Sequence, residues 1–125
     1  MNIKDPTVLA HLRTVRSTEL EETLADYPED ERDGRSDMQM LADEAGYLYS
    51  RYSEDGSGHR DDLLEAQRVL RATKNGKVMP LSLPGFVPKY SQSTIRECRE
   101  IVNHHRRLAN LIKRLEKAGY YSRWL

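Results

Sequence analysis

The sequence predicts an all-α protein: a bundle of three to four helices with a long C-terminal helix and an extended, proline-containing strap. Apolar residues recur every three or four positions in several segments, which is the spacing of an amphipathic helix. Several of these segments follow a Ser or Thr with Glu or Gln three residues later, the pattern of a helix-capping box. A length of 125 residues fits one domain, residues 1–125.

The first helix is predicted to begin near Asp5, an N-cap residue that is followed by Pro6 in the first turn. Helical spacing continues in Val8, Leu9, Leu12 and Val15. The pattern slips within "RSTELEETLADYP", where Thr18 and Glu21 resemble a capping box. This favours a second short helix ending before Pro28, with one continuous helix that changes register as the alternative.

Two further helices are predicted in the middle of the chain. Ser36 and Gln39 form a capping box, and an apolar stripe follows at Met38, Leu41, Ala45, Leu48 and Tyr52. The glycines of "SEDGSGHRDD" end this helix. The next stripe consists of Leu63, Ala66, Leu70 and Thr73. Asn75 and Gly76 end it.

The segment "KVMPLSLPGFVPKY" contains Pro80, Pro84 and Pro88, which remove backbone donors and exclude a helix or a central strand. Its apolar residues predict an extended strap that covers the core. The alternative is an arm that binds a peptide or docks on a partner.

The long C-terminal helix is predicted to begin with a capping box at Thr94 and Glu97 and to end at Gly119. One sector of it is apolar and contains Ile95, Cys98, Ile101, Val102, His105, Leu108, Ala109, Ile112 and Leu115. Because this seam nearly repeats in sevens, a helical homodimer stays open as an alternative.

The zero net charge of the chain hides two opposite halves. Residues 1–65 carry 17 acidic and 7 basic residues, whereas residues 66–125 carry 3 acidic and 13 basic residues. The predicted nucleic-acid-binding residues form one sector of the last helix: Arg96, Arg99, Arg106, Arg107, Lys113, Arg114 and Lys117. At 1.5 Å per residue this sector is roughly 32 Å long, about one turn of B-DNA, so it can follow phosphates. The alternatives are a face that contacts a protein partner, cations that stabilise the helix end, and a solvated face that balances the acidic residues 19–37.

The chain end "YYSRWL" gathers Tyr120, Tyr121 and Trp124 within five residues. These rings either fold back over a thin core or stay exposed as an anchor for a partner.

We expect no catalytic residue, metal or cofactor. Cys98 and His105 share a helix face but lie about 10.5 Å apart along the axis, too far for a nucleophile and base. Adjacent His104 and His105 point about 100° apart, so they do not share an ion. "EDGSGHRDD" matches no calcium or zinc spacing, and phosphate-binding glycine motifs are missing. Short apolar runs and a single cysteine predict a cytoplasmic protein without a membrane partner.

Three stretches, "LADEAGYL", "ATKNGKVMPLSLPGFVPKYS" and "IKRLEKAGYYSRW", resemble small helical proteins and accessory domains of bacterial mobile elements, of the type associated with large polyvalent proteins. The resemblance covers residues 36–125 and implies DNA handling, regulation or interference with host defence.

The expected function is therefore non-enzymatic binding of nucleic acid or a nucleoprotein complex through the basic helix, for a mobile element. The alternative is a protein-protein inhibitor or assembly factor, for example of the anti-CRISPR type. It would act through the acidic segment or the aromatic C-terminus.

Overall fold

The protein is all-α in the parts that its structure, a computed structural model, describes: residues 5–27, 33–73 and 90–125. These ranges contain the helices α1 (Pro6–Val15), α2 (Thr18–Asp26), α3 (Asp37–Ser50), α4 (Gly58–Ala72) and α5 (Gln92–Lys117), and no strand. The predicted class is confirmed, but the described helices number five instead of three to four. The predicted strap lies outside the described residues.

A left-handed residue separates α1 from α2. Asp5 caps α1 as predicted, and its side chain accepts from the Thr7 N–H at 2.9 Å. After Val15 the backbone turns at Arg16, whose φ is 56°. The cap of α2 is the buried Ser17, which accepts from the Leu20 N–H at 3.2 Å. The capping residue thus lies one position before the predicted Thr18, and the alternative of one continuous helix is wrong.

Helix α3 has the largest share of buried residues among the described helices, and it contacts α1, α2 and α5. Ser36 caps it as predicted by accepting from the Gln39 N–H at 3.2 Å. The buried residues of α3 are Met38, Met40, Leu41, Ala42, Asp43, Ala45, Gly46 and Leu48. Tyr52, the last residue of the predicted stripe, is buried in the turn after α3.

Helix α5 begins and ends with local hydrogen bonds. Ser91 caps it by accepting from the Thr94 N–H at 3.1 Å, so the predicted box at Thr94 and Glu97 was placed three residues too late. At the other end Gly119 has a φ of 95°, and the Tyr120 N–H donates to the Leu115 carbonyl at 2.8 Å. This is a Schellman motif, and it confirms Gly119 as the terminating glycine.

The buried stripe of α5 turns around the helix along its length. In the first half, Cys98 packs with Ala66 and Val69 of α4. In the second half Leu108, Leu111, Ile112 and Leu115 join the main core formed with α1, α2 and α3. The predicted apolar sector left out Leu111, whose side chain is 0% exposed. None of the described helices combines the length and apolarity that crossing a membrane requires.

Candidate functional site

Two of the predicted nucleic-acid-binding cations face α1. The Arg107 Nε–H donates to the Val15 carbonyl at 3.2 Å, and an Arg114 Nη2–H donates to Thr14 Oγ1 at 2.8 Å. Arg107 also lies 3.7 Å from a Glu100 carboxylate oxygen. Because Val15 ends α1, Arg107 places positive charge where the carbonyls of that helix have no helical partner. We call Arg107 and Arg114 the seam row, and their first role is to hold α1 on α5.

The other predicted cations are exposed on the outer side of α5. They are Arg96, Arg99, Arg106, Lys113 and Lys117, and we call them the outer row. Within the described parts of the chain, Arg96, Arg106, Lys113 and Lys117 make no ion pair or hydrogen bond. The outer row therefore presents cations to solvent over the roughly 32 Å from Arg96 to Lys117.

Two arginines of α1 extend the basic surface beyond the predicted residues. Arg13 and Arg16 are exposed, and they flank Thr14 and Val15, the two residues that the seam row contacts. The local field is positive as well: burial first and then Arg114 lower the pKa of His11 below its ordinary value. Sequence reasoning missed Arg13 and Arg16 because they belong to the acidic half by position, and only packing brings them beside α5.

The aromatic C-terminus combines an anchored backbone with exposed rings. Tyr120 packs against the main core. Tyr121 and Trp124 are 66% and 49% exposed. One ring of this segment therefore covers the core, and two stay at the surface.

A buried carboxylate anchors this segment. Asp43 of α3 is 2% exposed and accepts from the Arg35 guanidinium at 2.6 Å and from the Arg123 backbone N–H at 3.1 Å. The Gln39 side chain donates to Asp43 at 3.2 Å and to the Tyr121 carbonyl at 2.8 Å. Sequence reasoning missed Asp43. Its position within an apolar stretch of α3 could have indicated a buried charge.

Close packing of the C-terminus on α3 requires a glycine. A Cβ at Gly46 would lie 2.0 Å from Ser122 Oγ, so no larger residue fits there without displacing the segment. Beside it, the Tyr47 and Trp124 rings meet edge to face with centroids 5.0 Å apart. Tyr47, 41% exposed, joins the C-terminal aromatic residues at the surface and was also missed.

Histidine and tyrosine rings connect α5 with α3 and the turn that follows α3. The His105 ring stacks on Tyr49 at 5.0 Å and meets the edge of Tyr52 at 4.9 Å. The Tyr52 hydroxyl and His104 Nδ1 are 2.9 Å apart. Burial lowers the pKa of His105, and burial followed by Arg107 lowers that of His104. Both histidines therefore pack against tyrosine rings, and burial favours their neutral form.

The residues considered as catalytic or metal-binding candidates do not come together in one site. Cys98 is buried away from His105, and burial raises the pKa of its thiol. In "EDGSGHRDD", Asp55 pairs with Arg60, whereas His59 Nε2 lies 3.0 Å from Glu19 Oε2. In residues 5–27, 33–73 and 90–125, no group of three His, Cys, Asp or Glu residues is arranged to hold a metal ion.

Comparisons with known proteins returned no match. No protein-family model matches the chain, and no curated protein and no solved structure is significantly similar to it.

Proposed function

We propose that this protein binds nucleic acid, alone or within a nucleoprotein complex, by contacting phosphates with the outer row and the α1 arginines. The observation that carries the proposal is the set of exposed cations without intramolecular partners: Arg96, Arg106, Lys113 and Lys117 within the described chain. The proposed activity is binding without catalysis.

Charge balance within the molecule accounts for the seam row better than for the outer row. Arg107 reaches Glu100 and the end of α1, and Arg114 reaches Thr14. In the described residues, no acid of α2 or α3 pairs with Arg106 or Lys113. An exposed cation without a partner contributes little to stability, so a binding role explains the outer row better.

The arrangement suits phosphate contact better than base reading. Arg106 and Lys113 are seven residues apart, about 10.5 Å along one side of a helix. Neutralising phosphates releases counterions, which makes binding steeply salt-dependent and independent of sequence. Asn110, exposed in the same sector, carries a side-chain amide that can hydrogen-bond a base edge.

The cellular context of this activity belongs to the same proposal. The resemblance of residues 36–125 to mobile-element proteins supports DNA handling or interference with a nucleoprotein defence complex. We place the protein in the bacterial cytoplasm, where both kinds of partner occur.

The test is fluorescence anisotropy with labelled duplex DNA, single-stranded DNA and RNA of equal length at several salt concentrations. We expect binding that weakens linearly with salt on a log-log plot. The double variant Arg106→Glu with Lys113→Glu should weaken binding more than about tenfold, because two attractive contacts become repulsive.

The control matched in charge is Arg68→Glu with Arg71→Glu on α4, where both residues are exposed and Arg68 pairs with Glu65. The control should retain most of the affinity. Equal losses in both variants would assign binding to net charge instead of the outer row. No binding of any nucleic acid at low salt would refute the proposed function.

A further inference from the structure

A small cleft opens between α2 and α3. It is lined by Glu19, Leu20, Thr23, Glu44, Tyr47 and Leu48. Its volume is about 40 Å³. Sites for small molecules typically have about 300 to 1,000 Å³, so this cleft is too small for a metabolite and admits the end of one side chain.

The cleft combines an apolar floor with an acid that forms no hydrogen bond or ion pair within the described residues. Leu20 and Leu48 are almost fully buried and form the floor. Glu44 is half-buried, and in the described chain its carboxylate makes no hydrogen bond or ion pair. Burial raises the pKa of Glu44 and outweighs the nearby charges of Arg35 and Arg123, which lower it. An incoming cation would offset that desolvation, so the cleft selects positive charge.

Lysine and arginine have the shape that these walls require. Their methylene stems can lie on Leu20 and Leu48 while the charged group reaches Glu44. The exposed ring of Tyr47 adds a face for a cation-π contact. Glu19 on the opposite wall is already 3.0 Å from His59, so Glu44 is the acid available to a ligand.

The apolar surface continues from the cleft to the C-terminus. Tyr47 contacts Trp124, and Leu125 lies beside Gly46 with 58% of its surface exposed. Tryptophan and tyrosine dominate binding energy in many protein interfaces. Because Asp43 and Ser122 fix the backbone of this segment on α3, little ordering is required when a partner binds.

We propose that the cleft and the adjoining rings of Tyr47 and Trp124 form a docking surface for a protein partner, which inserts a Lys or Arg flanked by an apolar residue. Charge complementarity identifies this occupant: α2 carries Glu19, Glu21, Glu22 and Asp26 and no basic residue. The same acids repel phosphates. The surface lies on α2, α3 and the C-terminus, so it works independently of the outer row.

Selection from random twelve-residue peptides displayed on phage tests this inference with the full chain. We expect enriched peptides to contain Lys or Arg next to Leu, Phe or Trp. A selected peptide without tryptophan can then be titrated by fluorescence, because Trp124 is the only tryptophan of the chain and lies at the site. Binding should change the Trp124 emission.

Glu44→Gln should lower the affinity for the selected peptide about tenfold, since it removes the charge facing the inserted cation. Glu22→Gln is the matched control: it removes the same charge from an exposed position of α2 outside the cleft. Replacing the inserted Lys or Arg of the peptide by norleucine should lower its affinity for the wild-type protein. The same replacement should not lower its affinity for the Glu44→Gln variant any further. Circular dichroism verifies that each variant is folded.

Enrichment of acidic peptides, no enrichment, or equal losses for Glu44→Gln and Glu22→Gln would overturn the inference. A second copy of the chain is the competing occupant. Concentration-dependent self-association in analytical ultracentrifugation that Lys113→Glu abolishes would identify it and also overturn the inference. The proposed nucleic-acid function has separate outcomes, because the outer-row double variant should bind the peptide normally.

Discussion

Arg106 and Arg107 are consecutive residues of α5, and one helical step of 100° gives them different environments. Arg107 donates to the Val15 carbonyl and lies near Glu100, whereas Arg106 is exposed and makes no ion pair within the described residues. Lys113 and Arg114 repeat this difference one heptad later. The basic sector therefore contains cations that contact α1, as Arg107 and Arg114 do, and exposed cations without an ion pair in the described residues, such as Arg106 and Lys113.

Asp43 and Glu44 on α3 show the same contrast with acids. Asp43 is enclosed by Arg35, Gln39 and the Arg123 backbone. Glu44 opens onto the cleft. Substituting one residue of each pair at a time, and measuring stability and binding affinity, separates structural from binding roles.

The largest effect is expected from Asp43→Asn, which removes the charge opposite the nearly buried Arg35. Breaking a buried ion pair typically costs about 3 to 5 kcal/mol, because the remaining charge is buried without compensation. Urea unfolding followed by circular dichroism measures this loss. The C-terminal segment should also loosen, which a red shift of the Trp124 emission would report.

Glu44→Gln is the neighbouring control, and we expect it to change the unfolding free energy by less than about 0.5 kcal/mol. Equal destabilisation by the two variants would show that Asp43 does not anchor the C-terminus through its charge. It would also remove the distinction between the two acids.

The next largest effect is expected from Arg107→Ala. This change removes a donor to the last carbonyls of α1 and a favourable charge at that helix end. The loss should be about 1 to 2 kcal/mol in unfolding free energy. Arg106→Ala should change stability by less than about 0.5 kcal/mol. Chemical denaturation of both variants under the same conditions gives the comparison.

Nucleic-acid affinity should depend more on Arg106 than on Arg107, the reverse of their effects on stability. Arg106→Ala should lower affinity in the anisotropy assay while leaving the unfolding curve in place. A destabilised Arg106→Ala variant, or an Arg107→Ala variant as stable as wild type, would contradict the division into seam and outer rows.

Local signals in the sequence predicted much of the fold. Asp5, Ser36 and Gly119 act through bonds to residues two to four positions away, so their patterns identify helix ends without tertiary information. At α2 and α5 the predicted capping boxes lay one and three residues too late. Ser17 and Ser91 cap these helices by accepting from the Leu20 and Thr94 N–H groups.

Tertiary contacts determined what the sequence did not predict. The sequence predicted one apolar sector along the whole of α5. In the structure the buried face shifts from the side of α4 to the side of α1 and α3, and this shift buries Leu111. The basic sector was predicted as one group, since nothing in the spacing indicated that α1 would contact Arg107 and Arg114. Tyr47 became part of a surface only when the C-terminus packed against Gly46.

A smaller effect is expected from pH, through histidines that contact the fold. Burial lowers the pKa of His104 and His105 below the unfolded value of 6.5. Between the folded and unfolded pKa values the unfolded chain binds more protons, so stability falls as pH decreases below about 6.5. Urea midpoints at pH 7.5, 6.5 and 5.5 should decrease in that order.

The variant His104→Gln with His105→Gln isolates this contribution. Glu19 favours protonation of His104, but burial and Arg107 outweigh it. The variant should be less stable at pH 7.5, because the contacts to Tyr49 and Tyr52 are changed. Its midpoint should depend less on pH than that of wild type. Equal slopes would mean that other groups cause the acid sensitivity.

The smallest change is expected from Lys113→Gln, which removes one outer-row charge and no intramolecular contact in the described chain. Stability should stay within about 0.5 kcal/mol of wild type. If Lys113 contacts one phosphate, the slope of log K against log salt for duplex DNA should decrease in magnitude by about 0.9. A lower affinity with an unchanged slope would mean that Lys113 acts without displacing a counterion. In that case Lys113 attracts the polymer from a distance, and the direct contacts have to come from Arg13, Arg16 and the arginines of the outer row.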